Sequence, residues 1–252
     1  MDFTDDQLER YARHIVLREI GGAGQARLRG AHVAIIGAGG IGSPAIAYLA
    51  AAGIGTLRVI DHDNVSLSNL QRQILFGTDD IGRPKAEAAR DAALRLNSDC
   101  HVIPINAALD ADNAAMLLRD ADIILDGCDN FETRLAVSDA ATRLRIPLVS
   151  AAVGQFEGQI GVWRGWEKGQ PCYRCLVGES RTDPARTCAE EGIVGALTGI
   201  IGSMAALEVI RALVPFGEPA TGKLIVFDLL ARRFRNMTIP PDPACKAALA
   251  CA

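Results

Sequence analysis

Four groups of residues combine types and spacings that could do chemistry. Gly37-x-Gly39-x-x-Gly42 follows the β-branched run His32-Val33-Ala34-Ile35-Ile36, and Asp61 stands 19 residues beyond Gly42. Glycines let backbone N–H groups approach a phosphate, a helix N-terminus favours an anion, and an acid beyond the second strand can accept from ribose hydroxyls. The pattern fits a nucleotide and leaves NAD and ATP open. The second group, Asp61-x-Asp63-x-x-x-x-Ser68-Asn69-Leu70-Gln71-Arg72-Gln73 with Gly82-Arg83-Pro84-Lys85, is longer and more polar than the usual connector of ~4–6 residues. Arg72 offers a planar fork and Lys85 a point charge, the two ways of neutralising phosphate. The alternative, a solvated surface, leaves Asn69 and Gln71 to Gln73 without a task.

The third group, Asp126-Gly127-Cys128-Asp129-Asn130, ends a buried strand at the edge where open α/β sheets bind ligands. Asp129 could hold magnesium against phosphates, and Asp129 or Asn130 could also N-cap the following helix. The fourth, Cys172-x-x-Cys175, lies in a polar loop with no βαβ strand just before it, which favours half of a tetrahedral zinc site over a redox pair. Cys100 and Cys128 read as small buried residues. The histidines His14, His32, His62 and His101 form no metal or acid–base motif. Gly217-x-x-x-x-Gly222-Lys223 imitates a P-loop, but Leu224 stands where Ser or Thr is required and the segment leads from helix to strand, so a turn is expected.

These groups need elements to hold them. Apolar residues at Leu8, Tyr11, Ala12, Ile15 and Val16 predict a helix over Thr4 to Arg18, capped by Thr4 or Asp5 and broken by Gly21, Gly22 and Gly24 before a short connector. Strands at 32–36 and 56–60 flank a helix over 41–52 closed by Gly53, one βαβ unit. The alternation continues with helices over 83–97, 111–118 and 131–144 and strands near 101–105, 122–126 and 147–150, which implies a doubly wound, mostly parallel sheet. After Ala151, stretches 155–164 and 223–236 read as antiparallel strands, with a helix over 193–213 packed between them. We expect one continuous α/β domain over 1–252: a helical arm (1–30), a nucleotide-binding half (31–150) and a carrier-binding, cysteine-bearing half (151–252).

The 252 residues carry 26 Lys+Arg against 30 Asp+Glu, a net charge of −4, with 49% hydrophobic residues. That composition describes a folded domain able to bury a large core, and its acidic balance excludes nucleic acid as an expected partner. The acidic start MDFTDDQLER lacks the basic and apolar regions of a leader, giving a cytoplasmic expectation with thiols rather than disulfides. The longest uncharged run, Gly192 to Leu207, is closed by Glu208 after 16 positions, short of the ~20 that span a bilayer, so no membrane is expected.

Taken in order, RYARHIVL, IIGAGGIG, SNLQRQ, GRPKA, DGCDN and CYRC resemble the MoeB/ThiF family of bacterial activating enzymes, relatives of the ubiquitin-activating enzymes. The resemblance implies a Rossmann-like sheet and ATP-dependent adenylylation of the C-terminal glycine of a small ubiquitin-fold sulfur carrier ending in Gly-Gly, with release of pyrophosphate. The carrier would be of the molybdopterin-synthase small-subunit type, in molybdenum cofactor biosynthesis, or alternatively that of the thiamine pathway. By the same resemblance Gly40 and Asp61 bind the nucleotide, Ser68, Asn69, Leu70, Gln71, Arg72, Lys85, Asp129 and Asn130 complete the ATP site, and Arg13 reaches into the other subunit of a homodimer. Family members carry a second C-x-x-C near the C-terminus. Here Cys245 matches its first cysteine, Ala248 stands at the second, and Cys251 comes next, so Cys172, Cys175, Cys245 and Cys251 are the zinc candidates. Cys188 stands where some members carry a cysteine that links covalently to the carrier; a position just before a helix would lower its thiol pKa, and Glu190 and Glu191 would oppose that. A NAD-dependent oxidoreductase would explain the glycines and Asp61 but leave Arg72, Lys85 and Asp129 idle.

Overall fold

The computed structural model describes residues 3–178 and 192–245. Five parallel strands, β1 (His32–Ile36), β2 (Thr56–Ile60), β3 (His101–Ile105), β4 (Ile123–Asp126) and β5 (Leu148–Val153), continue into an antiparallel meander of β6 (Glu157–Trp163), β7 (Lys223–Asp228) and β8 (Arg233–Thr238). Their order is β3-β2-β1-β4-β5-β6-β7-β8. The chain runs outward from β1 through β2 to β3 and returns to β4 on the other side of β1, so the connections after β1 and β4 diverge and leave a crevice at their carboxyl ends.

Side-chain alternation builds a core on each face. Val33 and Ile35 of β1 join Leu57, Val59, Ile123 and Leu125 beneath α3 (Gly42–Ala51), α4 (Lys85–Leu96) and α8 (Gly195–Leu213). Ala34 and Ile36 join Ile60, Ile124 and Leu148 beneath α5 (Ala114–Leu118) and α6 (Phe131–Leu144). A short α7 (Tyr173–Val177) packs on α6.

Two expectations need correction. Helix α1 (Asp5–Ile15) starts as expected, with Thr4 and Gln7 closing a capping box, but it ends before Val16, and Gly21, Gly22 and Gly24 open a second helix, α2 (Gly21–Gly30), rather than a connector. Packing overrides weak glycine propensity here: Leu28 is fully buried, and a Cβ at Gly24 would lie 2.9 Å from Val214 Cγ1. Helix α8 is 19 residues long, and by length and composition alone it could cross a membrane, a test that the core helix of a folded domain also passes. It packs on the face formed by β4, β5 and β6 beside α3 rather than between strand groups, and its buried Glu208 faces Arg211 at 3.2 Å. The P-loop imitation is a turn into β7, with Gly217 and Gly222 at positive φ.

Candidate active site

A cleft of about 470 Å³ opens at the crevice above β1 and β4, within the usual range of ligand pockets. Gly37, Gly39 and Gly40 form one wall. Gly37 has φ +88°, and a Cβ there would meet the Gly127 backbone at 3.3 Å, so the glycine loop and the loop after β4 pass in contact. Gly42 is not among the residues lining the cleft; a Cβ there would overlap the Gly37 carbonyl oxygen, so it lets α3 begin close beneath the loop. Asp61, at the end of β2, is buried, and its carboxylate accepts from Ala38 N and Asp63 N, each at 2.8 Å. It therefore fixes the glycine loop to the second strand. Burial raises its pKa, partly opposed by the Lys85 charge and those two N–H groups.

The connector after β2 divides into aimed side chains and scaffold. Arg72 and Gln73 line the cleft, whereas Ser68, Asn69, Leu70 and Gln71 do not. A 3-10 turn over Leu67–Asn69 leaves the Ser68 carbonyl to accept from Arg72 Nη1 at 3.0 Å and the Asn69 carbonyl from the backbone N–H of Arg72 and Gln73. Gln71 O lies where a Cβ on Gly195 would be 2.3 Å away, and Thr198 Oγ1 donates to Arg72 O at 3.3 Å, which ties this turn to α8. Lys85 begins α4 with its ammonium 2.8 Å from Asp63 Oδ2; its side chain is 7% exposed and that of Asp63 54%. Burial alone would push the Asp63 carboxyl up, but the Lys85 hydrogen bond and charge, with His62, outweigh it and hold it low.

Across the cleft, Asn130 caps α6 by accepting from Thr133 N at 3.0 Å, and Asp129 is exposed on the cleft wall. Arg13 lies on an exposed part of α1 and does not line this cleft. Gln73, which the polar cluster includes without a role, lines it, as do His62 and Arg134, which the sequence does not mark as site residues. Gln73 is 3% exposed, with an Oε1 that has no partner among the described residues. His62 faces Asp63 at 3.4 Å. Arg134, buried in the first turn of α6, donates to the carbonyls of Cys128 and, at 2.7 Å, Ala151, and lies 3.5 Å from Asp126. A charged residue within a helix whose neighbours Ala136, Val137 and Ala140 are buried is the one sequence signal that pointed to Arg134.

Cys172, Cys175 and Cys245 converge, with Sγ atoms all within 4.8 Å of one another. The Cys172–Cys245 and Cys172–Cys175 separations are 3.5 and 3.9 Å, matching the edge of about 3.8 Å that a tetrahedron with zinc–sulfur bonds of ~2.3 Å requires. Burial, with the neighbouring thiols, pushes the Cys172 thiol up to about 12; a cation would be needed to hold these sulfurs as thiolates. Cys188 and Cys251 lie outside the described residues. Cys100 is buried and pushed up to about 11. Cys128 lines the cleft with its thiol pushed well up by burial and by Asp126.

Residues 11–247 match the ThiF family. The chain is 42% identical over 248 residues to the molybdopterin-synthase adenylyltransferase of Escherichia coli, covering 97% of this chain and 98% of that one. It is 41% identical over 250 residues to the sulfur carrier protein adenylyltransferase of Thermus thermophilus, covering 97% and 92%. Among solved structures, that of E. coli MccB with AMPCPP and MccA superposes with a TM-score of 0.80 at 25% identity, over 94% of this chain and 74% of that chain.

Proposed function

Because this chain belongs to the ThiF family, we propose that it transfers AMP from ATP to the C-terminal glycine of a small ubiquitin-fold sulfur carrier ending in Gly-Gly. The observation that carries this reading is the convergence of the glycine loop, Arg72, Lys85 and Asp129 on one cleft. The AMPCPP of the MccB complex and the names of the two adenylyltransferases support the same nucleotide and the same class of acceptor. The molybdopterin-synthase type of carrier follows the E. coli relative's name.

A terminal carboxylate has a pKa near ~3.5 and is already the nucleophile at neutral pH, so no general base is required. One carboxylate oxygen bonds to the α-phosphorus while the bond from that phosphorus to the bridging oxygen breaks, and the electron pair leaves with pyrophosphate. The chain's task is alignment and charge neutralisation. Backbone N–H groups at Gly39 and Gly40 cradle phosphate, Arg72 takes a phosphate edge through its fork, and Lys85 places a fixed positive charge, itself steadied by Asp63. Magnesium held by Asp129 would neutralise phosphate charge. Zinc on Cys172, Cys175 and Cys245, with Cys251 as the fourth sulfur, would join the segment carrying α7 to the C-terminal tail.

Arg13 requires a second subunit on this reading. It sits outside its own cleft, and α1 also exposes Leu8, at 45%, with Val16 beyond its end at 74%, apolar surface that a homodimer would cover. Cysteines kept as zinc ligands rather than paired in disulfides would suit a cytoplasmic enzyme. The test is ATP–pyrophosphate exchange with purified protein, run separately against molybdopterin-pathway and thiamine-pathway carriers. We expect exchange that depends on a carrier, with the molybdopterin type preferred; no exchange with either, in folded protein that binds ATP, would overturn the acceptor assignment.

A further inference from the structure

Gln73 lines the nucleotide cleft although it is only 3% exposed. Its Oε1 is buried and has no hydrogen-bond partner among the described residues. Its Nε2 lies beside the glycine loop, 3.7 Å from where a Cβ on Gly39 would stand. The backbone around it is held by other means: Gln73 N donates to the Asn69 carbonyl at 3.0 Å, Phe76 N donates to the Gln73 carbonyl at 3.1 Å, and the side chains of Leu75 and Phe76 are buried. The carboxamide therefore does not fasten the turn that carries it. A buried polar group without a partner destabilises a fold, so a carboxamide kept in that state points to a partner that comes from outside the chain.

The surroundings select that partner. Gly39, Arg72 and Lys85 line the same cleft, and backbone N–H groups, a guanidinium and an ammonium all suit an anion. Of the two ends of a carboxamide only the nitrogen can pair with a phosphate oxygen, and the nitrogen is the end beside Gly39. We propose that Gln73 is a further nucleotide-binding residue, its carboxamide N–H donating to a phosphate oxygen of ATP next to Gly39. The inference rests on the cleft being an ATP site. It adds a neutral, directional donor to the charged Arg72 and Lys85, and it carries a consequence for stability: the side chain that serves the nucleotide weakens the free chain.

The experiment uses the full chain with magnesium–ATP and no carrier. Calorimetry gives the Kd and thermal melts give the ligand-free Tm for the wild type, Gln73→Met and Gln73→Glu. Gln73→Met keeps the length and the apolar contacts of the side chain and removes both polar ends. It is expected to weaken magnesium–ATP binding roughly 10- to 100-fold, the effect of losing one hydrogen bond to a charged group, while the ligand-free Tm stays level or rises by up to about 5 °C. A glutamine that served only the fold would move Tm the other way. Gln73→Glu sets a carboxylate against phosphate and is expected to bind at least as weakly as Gln73→Met. Magnesium–ATP affinity within about fivefold of wild type in either variant overturns the proposal, including the case in which only the KM for carrier rises, which would assign the amide to the carrier's terminal peptide. A ligand-free Tm of Gln73→Met more than about 3 °C below wild type, or its failure to fold, assigns the side chain to the fold and overturns the proposal as well. A wild-type chain that binds no ATP would fail the proposed function itself, a result distinct from these.

Discussion

Replacing Lys85 by methionine separates what the cleft does from what holds the fold. Lys85 is buried to within 7% of its side chain, but its partner Asp63 is 54% exposed, so removing the ammonium leaves a carboxylate that water can solvate. Methionine fills nearly the same volume, and no cavity term arises. A half-exposed pair of this kind contributes about 1 kcal/mol or less, so Tm should fall by no more than about 2–4 °C. Activity should respond on another scale. A positive group aimed at transferring phosphate acts where charge develops, and losing one such group costs roughly 10²–10³ in kcat/KM, or ~2.7–4 kcal/mol.

The stability difference also has a pH signature. Asp63 titrates lower in the folded chain than its usual 3.8, so its contribution is present above that value and is lost as pH falls through the folded pKa. Lys85→Met lacks that contribution, and the Tm gap between the two proteins should narrow as pH drops below about 4. Asp61 acts in the same direction, because without Lys85 the burial that raises its carboxyl is less opposed and acidification relieves the variant more. Carrier-dependent exchange and thermal melts over a pH series would decide. A folded Lys85→Met with kcat/KM within about fivefold of wild type would refute the charge-neutralising role, and a Tm loss above about 10 °C would refute the claim that the pair is structurally minor.

Asp129→Ala should abolish magnesium-dependent turnover with Tm nearly unchanged, because the residue is exposed at a strand end; near-normal exchange would rule out its role. Arg13→Ala and Arg72→Ala should each be inactive alone, and mixing the two should restore part of the activity if each cleft draws on both subunits; no recovery despite demonstrated subunit exchange would count against the shared site. Elemental analysis of unchelated protein should find one zinc per chain, and Cys251→Ala should lower zinc affinity at least about tenfold; full occupancy in that variant would exclude Cys251 as the fourth ligand.

The strand–glycine–helix unit and the acid ending β2 were legible because period, glycine placement and burial agree there, and β-branched residues occupy both faces of β1. The second helix was not, since Gly21, Gly22 and Gly24 carry a strong local signal for a break and tertiary packing reverses it, through buried Leu28 and Gln25 and the close approach of Gly24 to Val214. The motif SNLQRQ was legible as a unit but not in its division of labour. The sequence does not say that Ser68 and Asn69 act through their carbonyls to aim Arg72, or that Gln71 faces away toward Gly195. The pairing of Asp63 with Lys85 and the place of Arg134 were not legible, because each acquires its role from a partner 22 or 8 residues away, a relation that spacing along one element does not encode.

Transfer of AMP to a carrier's terminal carboxylate is tested most directly by following the label from ATP marked at either the α- or the γ-phosphate, with the carrier isolated rapidly on acid. AMP transfer predicts acid-stable label on the carrier from α-labelled ATP only, absent when the terminal glycine is removed, with γ-label recovered entirely in pyrophosphate. Label on the carrier from the γ-phosphate, or none from the α-phosphate in a preparation that binds both ATP and carrier, would contradict it.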